Sequence, residues 1–182
     1  MKEVRLHLRT ALCEVLWESG VRMQCFVHAT EPAGWFRFEN LSDTLVPLLE
    51  MPRYHAGFGG RDGEDVPGSS LQRLGYPPAE LIHTCRSVTA TQECWGGFVY
   101  RVHVAWEEPE QGTLEGAWSI DASLPGDPRE PDAAAVVAPA LGRGFQADLE
   151  THHRWWQESW DRSSISLPDK IPERQYWCRP GW

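Results

Sequence analysis

The chain carries too little positive charge to bind a phosphate backbone. Its 182 residues include 17 lysines and arginines against 26 aspartates and glutamates, so the formal net charge is −9. Proteins that bind nucleic acids need clustered basic side chains to displace the counterions of the phosphate backbone. The charge balance therefore predicts that nucleic acid is not a partner.

Long apolar runs are also missing. The first fifteen residues, MKEVRLHLRTALCEV, are interrupted by charges and hold no run long enough for the core of a signal peptide. No stretch approaches the roughly 20 apolar residues that a membrane-spanning helix needs. We therefore expect no membrane association and a cytoplasmic location, unless the true N-terminus lies further upstream.

The cysteines are poorly placed for a metal site or a disulfide framework. The five cysteines are widely spaced, are odd in number and include no CxxC pair; they are Cys13, Cys25, Cys85, Cys94 and Cys178. Free cysteines in such a pattern are typically buried thiols. We expect neither a metal nor another cofactor.

Tryptophan is the residue present in excess, with ten copies in 182 residues. Its side chain fills cores and interfaces, and it also stacks on planar and sugar-like ligands. The count favours a binding or packing surface without locating it.

Alternating apolar and polar residues predict a strand-rich first part. Residues 4–17 and 21–29 are predicted to pair as a β-hairpin around Ser19 and Gly20. Further strands are predicted at 35–39, 81–85, 88–95, 98–106 and 114–124. Strands joined by turns, with no helix between them, predict a mainly β fold of antiparallel sheets packed as a β-sandwich.

The stretch from Pro52 to Pro78 is rich in glycine and proline. Its apolar residues follow neither the helical nor the strand periodicity, so it is predicted to be a long loop. Its GFGG portion is followed by more loop instead of a helix. A nucleotide-binding fingerprint needs a strand before it and a helix after it. We therefore do not expect this loop to hold a phosphate group.

Helical spacing begins only after residue 127. Asp132 is predicted to cap a short helix through Leu141, which Pro139 should kink or end. A second helix is predicted over residues 145–161, because apolar and aromatic residues recur there at intervals of three and four. They are Phe145, Leu149, His152, Trp156 and Trp160.

The motif HHRWW, followed by SW, RSSISLPD and ERQYW, resembles the linker of large glycoside hydrolases of the family 65 and family 95 type. In that group an N-terminal β-sandwich of the supersandwich kind is joined through a linker helix to a catalytic (α/α)6 barrel. The stretches LHLRTA, FVHATEPAGW and GGFVYRVHVAW are similar to strands of that sandwich. The resemblance implies an antiparallel β-sandwich domain at residues 1–125, with a helical linker and the truncated start of a helical domain at residues 126–182.

The chain departs from that pattern because it ends at about the first turn of the first barrel helix. The group carries its catalytic carboxylates in the barrel, so the resemblance implies no catalytic residue here and no activity in isolation. The implied partners are the missing barrel domain and, through the complete enzyme, a carbohydrate. The ending CRPGW indicates a truncated or frame-shifted reading frame, or a fragment of a larger protein.

Three aromatic residues are candidates for sugar contact because they lie at predicted turns or in the long loop. They are Trp95, which precedes Gly96 and Gly97, and Tyr54 and Tyr76. The alternative for each is ordinary packing. On the second helix, Trp155, Trp156, Trp160 and His152 are predicted to form a packing interface, with a sugar platform as the alternative.

Other site chemistry has little support in the sequence. A zincin helix needs histidines four residues apart, whereas His152 and His153 are adjacent and point about 100° apart. Glycosidases need two carboxylates across a cleft. The available acidic groups are predicted to be solvated; they are Glu107 with Glu108, Asp62 with Glu64 and Asp65, and Glu150 with Glu158.

The sequence thus predicts the non-catalytic N-terminal portion of a carbohydrate-active glycoside hydrolase. A free-standing carbohydrate-binding module that uses exposed Trp and Tyr side chains is the first alternative. A small intact hydrolase with an unrecognised site is the second.

Overall fold

A computed structural model describes residues 1–52, 74–127, 129–163, 168–169 and 171–172. Eight strands precede two helices along the chain. The strands are β1 Glu3–His7, β2 Leu12–Leu16, β3 Arg22–Val27, β4 Ala33–Glu39, β5 Glu80–His83, β6 Ser87–Glu93, β7 Val99–Glu110 and β8 Thr113–Ser123. The helices are α1 Ala134–Arg143 and α2 Phe145–Ser163.

The eight strands form one antiparallel sheet in the order β1-β2-β3-β4-β8-β7-β6-β5. Two meanders, β1 to β4 and β5 to β8, join where β4 pairs with β8. This confirms the prediction of a mainly β, antiparallel fold followed by a helical part. The second layer on the described sheet is the pair α1 and α2, which contacts β4, β7 and β8.

The prediction of a single strand over residues 4–17 was wrong. The chain reverses between His7 and Leu12, so β1 and β2 form a hairpin of their own. The turn uses Ala11 at a φ of 45°, and Thr10 donates its N–H to the carbonyl of His7. No glycine, proline, asparagine or aspartate marks this turn, and those are the residues by which turns are recognised in a sequence.

Side chains alternate between two faces of the sheet, and the helices cover only one of them, which we call the helix face. Its core cluster contains Leu12, Phe26, Trp35, Ala117, Val137, Ala140, Phe145 and Leu149. The opposite face, which we call the open face, has a smaller core of Val88, Trp106 and Leu114. Segment 41–49 covers that smaller core with Leu41, Leu45 and Leu49.

The helices begin close to their predicted positions. The Asp132 carboxylate accepts the N–H of Ala135, as predicted for a cap, and α1 continues through Pro139 to Arg143. Gly144, at a φ of 85°, ends α1 and separates it from α2. Its left-handed conformation is one that glycine adopts at little cost. The start of a helical domain that the resemblance implies after the linker helix lies almost entirely outside the described residues.

Candidate functional site

A buried acidic group joins the helices to the sheet. Asp148 on α2 is 3% exposed and accepts a hydrogen bond of 3.0 Å from the indole N–H of Trp35 on β4. The guanidinium of Arg143, at the end of α1, binds both oxygens of the same carboxylate at 2.7 and 3.0 Å. The Asp148 carboxylate accepts hydrogen bonds from β4 and from the end of α1, and thereby fixes where α2 begins on the sheet. We call Trp35, Asp148 and Arg143 the anchor triad.

A second polar contact lies one turn further along α2. His28 accepts the backbone N–H groups of Thr30 and Glu31 at its Nδ1 atom, so its Nε2 atom carries the proton. That N–H donates to Thr151 Oγ1 over 2.9 Å, and the Thr151 hydroxyl donates to the carbonyl of Asp148. This contact holds α2 against the end of β3, which His28 follows.

His152 is fully buried beside this contact. Its ring lies 4.7 Å from Phe26 and 6.0 Å from His28, measured between centroids. Burial lowers the pKa of His152, and the nearby backbone of Thr10 and Ala11 opposes part of that shift. The ring is therefore an uncharged packing group at neutral pH.

The three tryptophans of α2 continue the same helix beyond the buried segment. Trp155, Trp156 and Trp160 are all half-buried. The Trp156 ring contacts the rings of His152 at 6.3 Å, Trp155 at 5.1 Å and Trp160 at 6.2 Å. They form a chain of aromatic contacts that begins in the core and reaches the protein surface. Their predicted role at an interface stays a prediction.

Of the three sugar-contact candidates, Trp95 is exposed. It lies in a short 3₁₀ turn between β6 and β7, and 81% of its surface is accessible. Tyr76 is half-buried and takes part in an interaction, whereas Tyr54 lies outside the described residues. A role in sugar contact stays a prediction for all three.

The carboxylates considered in the sequence are on the surface. Glu107 and Glu108 are exposed on β7, and Glu150 and Glu158 are exposed on α2. Asp62, Glu64 and Asp65 lie outside the described residues. In the described ranges, no group of three or more His, Cys, Asp or Glu side chains is arranged to hold a metal ion.

Sequence reasoning missed a strip of ion pairs on the uncovered part of the helix face. Glu14 pairs with Arg22, Arg22 with Glu39 at 3.2 Å, and Glu39 with Arg37 at 3.0 Å. Arg37 also pairs with Glu115 at 2.7 Å. The Arg22 guanidinium lowers the pKa of Glu14, with a smaller effect from His7. Each carboxylate of the strip is bound to arginine, so none is placed to act as a proton donor.

Sequence reasoning also missed two aromatic rings that lie over glycines on the open face. A Cβ atom at Gly34 would lie 2.2 Å from the Trp118 ring, and one at Gly116 would lie 2.1 Å from the Phe36 ring. Gly34 pairs with Trp118, and Phe36 pairs with Gly116, across β4 and β8. Each aromatic ring therefore lies down over the glycine opposite, which only a residue without a side chain permits.

Comparison with solved structures shows a likeness of fold. No family model matches the sequence, and no curated protein matches it. Among solved structures, a putative kojibiose phosphorylase from the human microbiome superposes on 85% of this chain with a TM-score of 0.56 and 9% sequence identity. The likeness at this identity concerns the fold. It involves 22% of that protein, so the chain spans about a fifth of its length.

None of the helices in the described part of the chain is both long enough and apolar enough to cross a membrane.

Proposed function

We propose that this chain is the non-catalytic sheet-and-linker portion of a carbohydrate-active enzyme of the glycoside hydrolase family 65 and family 95 type. The observation that carries the proposal is the fold likeness over 85% of the chain to a protein described as a kojibiose phosphorylase. The motif resemblance in α2 points to the same group independently. The chain would support a helical catalytic domain and contribute loops to the sugar site of that domain.

The anchor triad fits a supporting role. A linker helix that transmits the position of a sheet to a following domain has to be fixed on that sheet, and Asp148 fixes α2 through hydrogen bonds to β4 and α1. In this proposal the half-buried Trp155, Trp156 and Trp160 would pack against the following domain. Their partner, in this proposal, is the helical barrel domain.

The sheet would be one half of a β-sandwich. An apolar sheet face is stable in water only when a second layer covers it. The helix face has such a layer in α1 and α2, and segment 41–49 covers part of the open face. A second sheet over the remainder would complete a sandwich, and because all eight described strands of residues 1–125 lie in one sheet, its strands would come from outside them.

A titration with carbohydrates tests the proposal against a second candidate, a free-standing carbohydrate-binding module. The exposure of Trp95 favours the second candidate, because an 81% exposed indole is available for stacking on a sugar ring. Tryptophan fluorescence would be followed while kojibiose, maltose and soluble glucans are added. As a supporting portion the chain should show no saturable change.

Trp95→Ala is the matched variant for this titration, because the side chain is exposed and its removal leaves the fold intact. A saturable signal in the wild type that the variant loses would replace the proposal by the binding module. A saturable signal that persists in the variant would point to a sugar site elsewhere and would equally contradict a purely supporting role.

A further inference from the structure

Two cysteines lie directly opposite each other on neighbouring strands. Cys13 on β2 and Cys25 on β3 are Cα partners in the antiparallel register. Each is next to a residue of the helix-face core, Leu12 or Phe26, so both thiols project from the open face. Both are free and half-buried. The hairpin of β2 and β3 brings them together, because no CxxC spacing links them in the sequence.

The spacing of the pair fits a disulfide. Directly opposite residues of antiparallel strands have Cα atoms about 4.5 or 5.5 Å apart, and disulfides span Cα distances of about 4.4–6.8 Å. The two thiols also interact in the reduced protein. Burial raises the pKa of the Cys25 thiol to about 11, and the charge and hydrogen bonding of the adjacent Cys13 thiol add to that shift. A bond between the two sulfur atoms therefore needs no change of register.

The neighbours of the pair favour an uncharged state. Leu6 on β1 is the register partner of Cys13, and Phe36 on β4 is the register partner of Cys25. The two thiols therefore lie between two apolar side chains, in one row across four strands. A thiolate in this row is poorly solvated, whereas a disulfide carries neither a charge nor a proton. Oxidation thus replaces two thiols by a cross-link that suits the apolar row.

We propose that Cys13 and Cys25 form a reversible disulfide, which joins β2 to β3 under oxidising conditions. The oxidant is a small-molecule disulfide of the glutathione kind. The Cys13 thiolate attacks one of its sulfur atoms and releases one glutathione thiolate, which takes up the proton of Cys25. The Cys25 thiolate then displaces the second glutathione from Cys13, and this glutathione takes up the proton that Cys13 had released. Two electrons pass from the pair to the oxidant, so one disulfide forms as another is reduced.

The proposed bond should be easy to reduce. Directly opposite residues hold their Cβ atoms about 4.5–5.5 Å apart, whereas a disulfide holds them about 3.8 Å apart. Closing the bond draws the two strands together by about 1 Å, and such strain makes a disulfide more reducible. The cross-link would join the two strands that contribute Leu12 and Phe26 to the core under α2.

Oxidation of the folded wild type by glutathione disulfide, followed by peptide mapping, tests the proposal. Remaining thiols are blocked by alkylation, and trypsin then cleaves after Arg22, which lies between the two cysteines. The expected product is a disulfide-linked pair of peptides, residues 10–22 and 23–37, each of which holds one cysteine. An excess of reduced glutathione should separate the pair again.

Two variants accompany the wild type. Cys25→Ser should form no linked pair and should instead keep a glutathione adduct on Cys13. Cys85→Ser is the matched control, because Cys85 is exposed and lies between β5 and β6, and it should form the linked pair like the wild type.

A wild type that takes up glutathione at Cys85 without forming the linked pair would overturn the proposal. A linked pair that forms only after unfolding in urea would overturn it too, because the folded register would then not be its source. Persistence of the bond in excess reduced glutathione would contradict its reversibility, and absence of an adduct on Cys13 in Cys25→Ser would contradict the order of attack. These readouts are independent of the carbohydrate titration, so the proposed function is judged separately.

Discussion

Replacing Asp148 by alanine is expected to lower the free energy of unfolding by about 3 kcal/mol. The carboxylate is 3% exposed and is the acceptor for the buried Trp35 indole and for Arg143. Its removal leaves a buried N–H without a partner and a guanidinium without its counterion. Because 39% of the Arg143 side chain is exposed, we expect the loss of unfolding free energy to lie at the lower end of the range for a broken buried ion pair. Urea unfolding followed by circular dichroism measures the change.

Two further variants separate the anchor triad from a general effect on α2. Asp148→Asn keeps an oxygen that can accept from Trp35, so it should lose less stability than the alanine variant. Glu150→Ala removes an exposed carboxylate two residues away, whose described hydrogen bond is from Gln146, and it should change stability by no more than about 0.5 kcal/mol. Equal losses in Asp148→Ala and Glu150→Ala would show that the triad does not hold α2 on the sheet.

Replacing Phe145 by alanine should have an effect of similar or larger size, about 3–5 kcal/mol. The side chain is 1% exposed and fills the junction between α2 and the sheet. Its ring lies 5.5 Å from Phe26 and 5.9 Å from Trp35, and the Arg37 guanidinium lies 5.8 Å from its centroid. The alanine variant loses this burial and leaves a cavity between two layers that other elements hold in place.

The same unfolding measurement, made on Trp95→Ala, provides the control for Phe145→Ala. Both variants remove a large aromatic side chain, but Trp95 is 81% exposed and should cost no more than about 0.5 kcal/mol. A small loss in Phe145→Ala, close to that of Trp95→Ala, would mean that α2 is not packed on the sheet in solution.

The sequence predicts most of the individual elements, because their signals are local. Alternation placed β3, β6, β7 and β8 close to their observed positions, and helical spacing placed the start of α2 at Phe145. The hairpin of β1 and β2 was missed because its turn has no turn-forming residue and depends on Ala11 at positive φ. The end of α1 was misjudged because Pro139 does not interrupt the helix.

The contacts between distant elements could not be predicted. Trp35 and Asp148 are 113 residues apart, and nothing in either local pattern indicates that they meet. Alternation also leaves open which face of a sheet receives the helices, since both faces of β3 and β4 carry apolar residues. The pairing of glycines with aromatic residues across β4 and β8 can be recognised only when the register is known.

Among the candidate site residues, too, some were predictable from the local sequence and others depend on contacts between distant strands. An exposed aromatic at Trp95 was predicted from the glycines that follow it, because a turn usually lies on the surface. The burial of His152 follows from its helical position relative to Phe145 and Leu149. The ion-pair strip from Glu14 to Glu115 needs the register of three strand pairs and was not predicted.

Turnover by the purified chain is the most direct test of the central claim, that this is a supporting portion without a catalytic site of its own. Hydrolysis of aryl glycosides would be measured at high protein concentration, with and without inorganic phosphate. The account predicts no turnover above the buffer blank under either condition. Turnover that a single carboxylate substitution abolishes, such as Glu115→Gln or Glu14→Gln, would contradict it and would establish a small complete enzyme.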